Sequence, residues 1–365
     1  MNESSRKRAL DFLRVIATVI IVFHHYMQVS GKFPRCNFSF YDSDFYFGYL
    51  VEFFFVLSGF FTFGYIDKFD KGYKFKDFWI KRYLRFAPML FATSMAYFLL
   101  HSVYSSLFNK PWLISYPKIW EVFLNTLGIQ AGWLIDVGIL NYVNYPLWYI
   151  SVLLLCYLVF YLVTWFAIRS KLPRFTSYLF IFIVGVVIRI CLILELFDFL
   201  PFLNAHSTRG FCGFFLGVLI GFILDKKKLD IKDYILIVSL PVIVCGLSFF
   251  VDLSFLYYNL LLFGFALIVL LFNNDHINNA MNFKILDILG SSTYYVYVWQ
   301  VPLLLLIVIL KNTSCTFIRL DSWLSMFMFT LLLFIVGVIL DTIFKFINIH
   351  IAENFKIRSN KIKET

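Results

Sequence analysis

The chain has 365 residues, of which 61% are hydrophobic and only 15% charged, and its mean hydropathy is +0.80. A soluble globular domain of this length would not be so apolar, so that class of protein is excluded. The formal net charge of +10 does not indicate a nucleic-acid partner, because the basic residues lie in short segments between apolar runs and form no single basic stretch.

Apolar runs of 18 or more residues recur along the whole chain and predict a polytopic helical membrane protein. We predict an all-α bundle of about ten transmembrane helices, which forms one domain over residues 1–350 and is followed by a basic tail over residues 351–365. The predicted spans are 10–30, 47–66, 86–105, 147–168, 177–197, 207–224, 234–250, 255–272, 290–310 and 322–346.

Lysine and arginine are distributed unevenly between the two sides of these spans. With the N-terminus inside, 24 of the 32 Lys and Arg residues fall on the inner side and seven on the outer side, while Arg189 lies within the membrane. The positive-inside rule therefore predicts a multi-pass protein of the cell membrane with both termini in the cytoplasm.

The first span contains RVIATVIIVFHHY and carries three ionisable residues. Arg14 and His25 are eleven residues apart, about three helical turns, so they share a face, whereas His24 points about 80–100° away. Ionisable groups inside a membrane usually face the bundle interior and mark a functional path, which makes His25 a candidate for catalysis. For Arg14, a functional role and a side chain that reaches lipid phosphates are equally open.

The second span, VEFFFVLSGFF, places Glu52 at about the depth of His25. An unpaired carboxylate is costly there, so Glu52 needs a partner or a proton, and His25 is the nearest candidate by depth. A carboxylate on one imidazole nitrogen would make the other nitrogen a general base for a hydroxyl, but a structural pair that locks two helices stays equally open. For Ser58 and Gly59 we favour a small-residue packing point between helices.

A basic inner loop over residues 67–85 ends in FWIKRYLRFAP, where Arg82 and Arg85 lie three residues apart on one face of an amphipathic segment. Two guanidinium groups at the inner interface suit phosphates. These phosphates belong either to lipid head groups or to a cytoplasmic cofactor.

The longest outer segment, residues 106–146, contains a semi-apolar stretch in which Glu121 and Asp136 argue against a full span. We predict an interfacial or re-entrant element that lines an outer cavity. In the following YPLWYISVLLLCY, Trp148 and Tyr149 either cap that cavity or belong to an aromatic interface belt, and isolated aromatic residues favour the belt.

Two further cations lie toward the outer side. Arg209 begins the sixth span, and Arg189 lies on the outer half of the fifth span with Glu195. Because Arg189 and Glu195 are six residues apart and not on one face, each needs a separate partner. A cation near an outer cavity would position an anionic substrate or a developing oxyanion, or it would neutralise Glu195.

These stretches together resemble acyltransferase family 3, the integral-membrane O-acyltransferases of bacterial surface polysaccharides and related glycans. RALDFLRVIATVIIVFHHY is similar to the first-helix motif of that family, an Arg followed after ten residues by a His, which Arg14 and His25 fit. VEFFFVLSGFF resembles the second-helix signature at Glu52, and FWIKRYLRFAP matches the R-x-x-R element. PLWYISVLLLCY and LGSSTYYVYVWQVPLLL resemble the fourth-helix and late-helix segments.

The chain departs from the family pattern at two positions. Many members have a Glu in the fourth-helix segment where this chain has Leu153, and the late helix often has a His where this chain has Gln300. If either position carries chemistry in relatives, this protein performs that step differently or does not need it.

The resemblance implies transfer of an acyl group, usually acetyl, from cytoplasmic acetyl-CoA or another acyl-CoA to a hydroxyl of a cell-envelope or exported glycan or a lipid-linked sugar. It assigns catalysis to His25 with Glu52 and Arg14. It places the donor at Arg82 and Arg85, to which we add Ser58, and the acceptor near Trp148 and Arg209. The cysteines have no metal-ligand spacing, so no metal is expected.

A transporter or flippase of polysaccharide or lipid-linked glycan is the alternative, because ten helices with buried charges also suit translocation. Transporters often contain inverted repeats, and the sequence has none that we detect. The motifs therefore favour the enzyme.

Overall fold

The computed structural model describes residues 7–363 except 35–37, 44, 114, 135–142, 198, 227–253, 316 and 318. Within these residues, the regular secondary structure is entirely helical, as predicted. The α-helices are α1 (Arg8–Ser30), α2 (Leu50–Thr62), α3 (Ile66–Asp70), α4 (Phe75–Phe108), α5 (Ile119–Leu127), α6 (Trp148–Arg169), α7 (Arg174–Ile193), α8 (Ala205–Lys226), α9 (Ser254–Phe272), α10 (Asp275–Ala280), α11 (Lys284–Thr313) and α12 (Trp323–Lys363).

Eight helical segments in the described part of the chain are long and apolar enough to cross a membrane. They correspond to eight of the ten predicted spans. The predicted span at 255–272 coincides with α9, and the span at 234–250 lies outside the described residues. The chain is thus an all-α, multi-pass membrane protein. The predicted basic tail is helical as far as Lys363, because α12 continues through it.

The helices form two compact units, Met1–Phe47 with Asn279–Thr365, and Gly48–Asn278. In the first unit, α1 packs against α11. Arg8 anchors their first turns, since its Nε and Nη2 donate to the Asp287 carboxylate at 3.0 and 2.7 Å. A Cβ on Gly290 would lie only 2.7 Å from the Cβ of Asp11, so this glycine permits the close approach of the two helices.

In the second unit, α2 and α8 make the closest helix pair. A Cβ on Gly59 would overlap the carbonyl oxygen of Phe214, and one on Gly217 would overlap that of Val56. Gly213 meets the Cβ of Phe55 in the same way, at 2.7 Å. Small residues four apart on α8 therefore bring the two backbones together, which confirms the packing role favoured for Gly59.

The segment predicted to lie outside contains the nine-residue helix α5, which is too short to span a membrane. Residues after α5 attach to the first turn of α6, where the Ser151 hydroxyl oxygen lies 2.9 and 2.7 Å from the carbonyl oxygens of Gly128 and Ala131 and accepts the Ala131 N–H at 3.2 Å. Burial raises the pKa of the Glu121 carboxyl, although the backbone N–H of Lys118 partly offsets that shift. Asp136 lies outside the described residues.

Candidate active site

His25 lies in the last third of α1 and is half-buried. Its Nδ1 is 3.3 Å from Oε1 of Gln28, one turn later on the same helix. An amide oxygen only accepts hydrogen bonds, so this contact fits a neutral imidazole with its hydrogen on Nδ1 and its lone pair on Nε2. In that tautomer, Nε2 is the basic nitrogen.

His24 has a different environment. Its side chain is 3% exposed, and its Nδ1 donates to the carbonyl oxygen of Phe40 at 2.8 Å. The ring also lies 5.1 and 5.2 Å from the rings of Tyr41 and Tyr46. His24 therefore fastens the segment after α1 to that helix, and its ring also lies 5.1 Å from the ring of His25.

Arg14 forms an ion pair within α1. Its Nη1 donates to Oδ1 of Asp11 at 2.8 Å, and Asp11 is 3% exposed. A buried carboxylate needs such a partner. Neutralising Asp11 is thus a structural role of Arg14 that the sequence analysis did not identify.

Glu52 is buried on α2, with 1% of its surface exposed, and its partner within the second unit is Arg209 of α8. Nε and Nη2 of Arg209 donate to the two carboxylate oxygens at 2.5 and 2.9 Å, and Nη2 also donates to the carbonyl of Gly48 at 3.3 Å. This bidentate pair satisfies the need for a counter-charge. The pairing of Glu52 with His25 stays a prediction, since the two residues belong to different units.

Trp148 lies against the same pair. Its ring is 4.6 Å from the guanidinium carbon of Arg209 and 5.1 Å from the ring of His206, and the residue is 7% exposed. The interface belt favoured for Trp148 is therefore wrong, because the indole is buried in the unit and stacks on a cation. The neighbouring Tyr149 is half-buried, and its hydroxyl is 3.2 Å from that of Ser58.

Arg82 of α4 is surrounded by aromatic rings. Its guanidinium carbon is 4.7, 5.3 and 4.8 Å from the ring centroids of Tyr65, Phe78 and Tyr157. The Nε atom is buried and has no hydrogen-bond partner among the described residues. Arg85 is exposed one turn later. Aromatic rings therefore surround the guanidinium of Arg82, and a second, exposed guanidinium lies one turn later.

Both departures from the family pattern lie in buried positions. Leu153 is 3% exposed and fills apolar space, whereas Gln300 is 1% exposed. Neither Nε2 nor Oε1 of Gln300 has a hydrogen-bond partner within the described ranges. A buried amide without hydrogen-bond partners lowers the stability of the fold. Gln300 is therefore an exception to the rule that buried polar groups are hydrogen-bonded.

Three neighbours of the candidate residues were not predicted from the sequence: Asp11, Gln28 and His206. Each lies three residues from a candidate, namely Arg14, His25 and Arg209, and residues three apart on a helix are neighbours. This three-residue spacing is the feature of the sequence from which these neighbours could have been predicted.

A family model described as an acyltransferase domain matches residues 7–342, which is nearly the whole chain. This match includes every candidate residue named above. No curated protein and no solved structure matches the chain.

Proposed function

Because the chain belongs to acyltransferase family 3, we propose that it is an O-acyltransferase that moves acetyl from cytoplasmic acetyl-CoA to a sugar hydroxyl of a cell-envelope or exported glycan. The family match carries this proposal. The excess of Lys and Arg on one side of the spans supports a cytoplasmic position for both termini and for Arg82.

In the proposed reaction, Nε2 of His25 accepts the proton of the acceptor hydroxyl while the oxygen attacks the thioester carbonyl. The C–S bond then breaks, the ester forms, and the imidazolium returns its proton to the leaving thiolate, so that free CoA departs. The Nδ1–H to Gln28 Oε1 contact supports this role because it keeps Nε2 able to accept a proton. No metal enters the step.

The function is tested by mass spectrometry of the host envelope glycan with and without the gene. We expect loss of an acyl mass from the glycan when the gene is deleted, with the amount of exported glycan unchanged, and return of that mass on complementation. Loss of export with no change in acyl mass would support the transporter instead.

Arg82 and Arg85 are proposed to bind the phosphates of the donor. Because hydrogen bonds to charged groups contribute about 1.5–3 kcal/mol, Arg82→Ala is expected to weaken acetyl-CoA binding by about 10- to 100-fold. Arg82→Lys should not restore it, since Lys lacks the planar fork and stacks less well on Tyr65 and Tyr157. Calorimetry with purified protein measures the affinity.

Lys81→Ala is the matched control, because Lys81 is an exposed cation beside Arg82 on a different face of α4. Lys81→Ala should leave the affinity for acetyl-CoA almost unchanged, because it lowers only the overall positive charge of this surface. Equal losses for Lys81→Ala and Arg82→Ala would mean that only the net charge of the inner surface matters.

A further inference from the structure

The start of α8 holds an unused hydrogen-bond donor. Asn204 is 1% exposed, and its Oδ1 accepts the backbone N–H groups of His206 and Ser207 at 3.0 and 3.1 Å. This contact identifies the other side-chain atom as the amide nitrogen. That Nδ2 is buried and has no partner in the described part of the chain.

Arg189 of α7 brings a cation to the same place. Its Nη1 donates at 3.2 Å to the carbonyl of Ala205, the residue that follows Asn204, and its guanidinium carbon lies 4.4 Å from the ring centroid of Tyr258. No described carboxylate forms an ion pair with Arg189, since Glu195 lies exposed beyond the end of α7. Arg189 therefore has partners other than Glu195, as predicted.

Tyr258 adds a phenol hydroxyl to the same region. The residue is 4% exposed, and its hydroxyl has no partner within the residues that the structure describes. Its ring is 5.7 Å from that of Tyr49, which in turn lies 5.8 Å from the guanidinium carbon of Arg209. The cluster is therefore continuous with the Glu52–Arg209 pair.

The charges of this region are not balanced among the described residues. Arg189 and Arg209 each carry a positive charge, and the N-terminus of α8 adds a partial positive charge. Among the described residues, Glu52 pairs with Arg209, and no carboxylate forms an ion pair with Arg189. Arg189 is half-buried, and its Nε is buried without a hydrogen-bond partner among the described residues, so an anionic ligand would satisfy this donor together with those of Asn204 and Tyr258.

We propose that Asn204, Arg189 and Tyr258 form a binding site for an anionic group of the acceptor, either the carboxylate of an acidic sugar or the phosphate of a phosphorylated or lipid-linked sugar. This inference rests on the proposed function. An amide N–H, a guanidinium and a phenol O–H are all donors, and together they suit an oxyanion better than a neutral sugar. The acceptor is thus an acidic or phosphorylated glycan.

The test measures the thermal unfolding of the full chain in phosphate-free detergent during separate titrations with glucuronate, glucose 1-phosphate, glucose and an anionic phospholipid. Glucuronate or glucose 1-phosphate should raise the midpoint in a saturable way, and glucose should not. Which of the two anions binds more tightly separates a carboxylate acceptor from a phosphate acceptor. The affinity for acetyl-CoA is measured in parallel.

Three variants each change one group of the proposed site. Arg189→Gln removes the charge, Tyr258→Phe removes only the hydroxyl, and Asn204→Asp keeps a residue that caps α8 equally well but replaces the donor by a carboxylate. Arg189→Gln and Asn204→Asp should weaken binding of the anionic sugar by about 10- to 100-fold, and Tyr258→Phe by less. Arg169→Gln is the control, because Arg169 stacks on Trp165 in α6 away from this cluster.

Binding of an anionic sugar that Arg189→Gln and Asn204→Asp abolish, and that Arg169→Gln retains, supports the site. No selective binding of the anionic sugars overturns it. Stabilisation by an anionic phospholipid and by neither sugar also overturns it, since the cluster would then hold a lipid head group. If the sugar binds but no acyl group is transferred, the anion site stands and the proposed function fails.

Discussion

Replacing His25 by alanine is expected to lower the rate of acyl transfer by about 10²- to 10⁴-fold, the usual contribution of a general base. The protein should still insert and unfold at a similar temperature, because His25 is half-buried and its described hydrogen bond is local to α1. Transfer of labelled acetyl to the host glycan, measured beside the unfolding midpoint, checks both statements.

Two neighbouring variants sharpen this prediction. Gln28→Leu removes the acceptor for Nδ1–H, and we expect a smaller loss of about 2- to 10-fold, which corresponds to one neutral hydrogen bond. Gln28→Glu keeps an acceptor oxygen and should retain most activity. Because a carboxylate stabilises the imidazolium, the pH at which the activity is half-maximal should also rise in Gln28→Glu.

His24→Ala should show the opposite pattern, with a lower unfolding temperature and activity that falls only as folded protein is lost. His24 bonds the carbonyl of Phe40 and contacts two tyrosine rings, so its loss loosens the segment after α1. Equal losses of activity per folded molecule in His24→Ala and His25→Ala would contradict the assignment of the base.

Much of this architecture could be predicted from the sequence, because membrane spans depend on local composition. Hydropathy located α1 and α6 within two residues at each end, whereas α4 begins eleven residues before its predicted span. Helical phase separated the directions of His24 and His25. A short α5 followed from the acidic residues that interrupt its apolar stretch. Each of these predictions uses residues close together in the chain.

The partners of the buried charges could not be predicted in the same way. Glu52 and Arg209 are 157 residues apart, and the depth of a residue does not show which helix face meets which neighbour. The glycines of α8, such as Gly213 and Gly217, contained part of the answer, because a row of small residues marks the face that packs closely on another helix. Arg209 lies one turn before Gly213 on the same face of α8. Trp148 is buried because its ring packs on Arg209, which this contact between α2 and α8 positions.

The Glu52–Arg209 pair yields the largest expected effect on stability. Glu52→Gln leaves a guanidinium with 11% of its side chain exposed and without its carboxylate, and breaking a buried pair of this kind costs about 3–5 kcal/mol. Arg209→Met leaves the carboxylate instead, with a similar cost. Because about 1 kcal/mol shifts the midpoint by ~2–4 °C in a domain of this size, each variant should unfold about 6–20 °C lower.

The double variant Glu52→Gln/Arg209→Met removes both charges and should recover a large part of the lost stability, since an uncharged pair leaves no uncompensated ion. Asp287→Asn is the matched control: Arg8 and Asp287 form a similar bidentate pair, but their side chains are 19% and 25% exposed, so we expect a cost below about 1 kcal/mol. Additive losses in the double variant would show that the two charges do not stabilise each other. A stable double variant that no longer transfers acyl groups would instead separate the two roles of the pair, because its charges would then be needed for the reaction and dispensable for the fold.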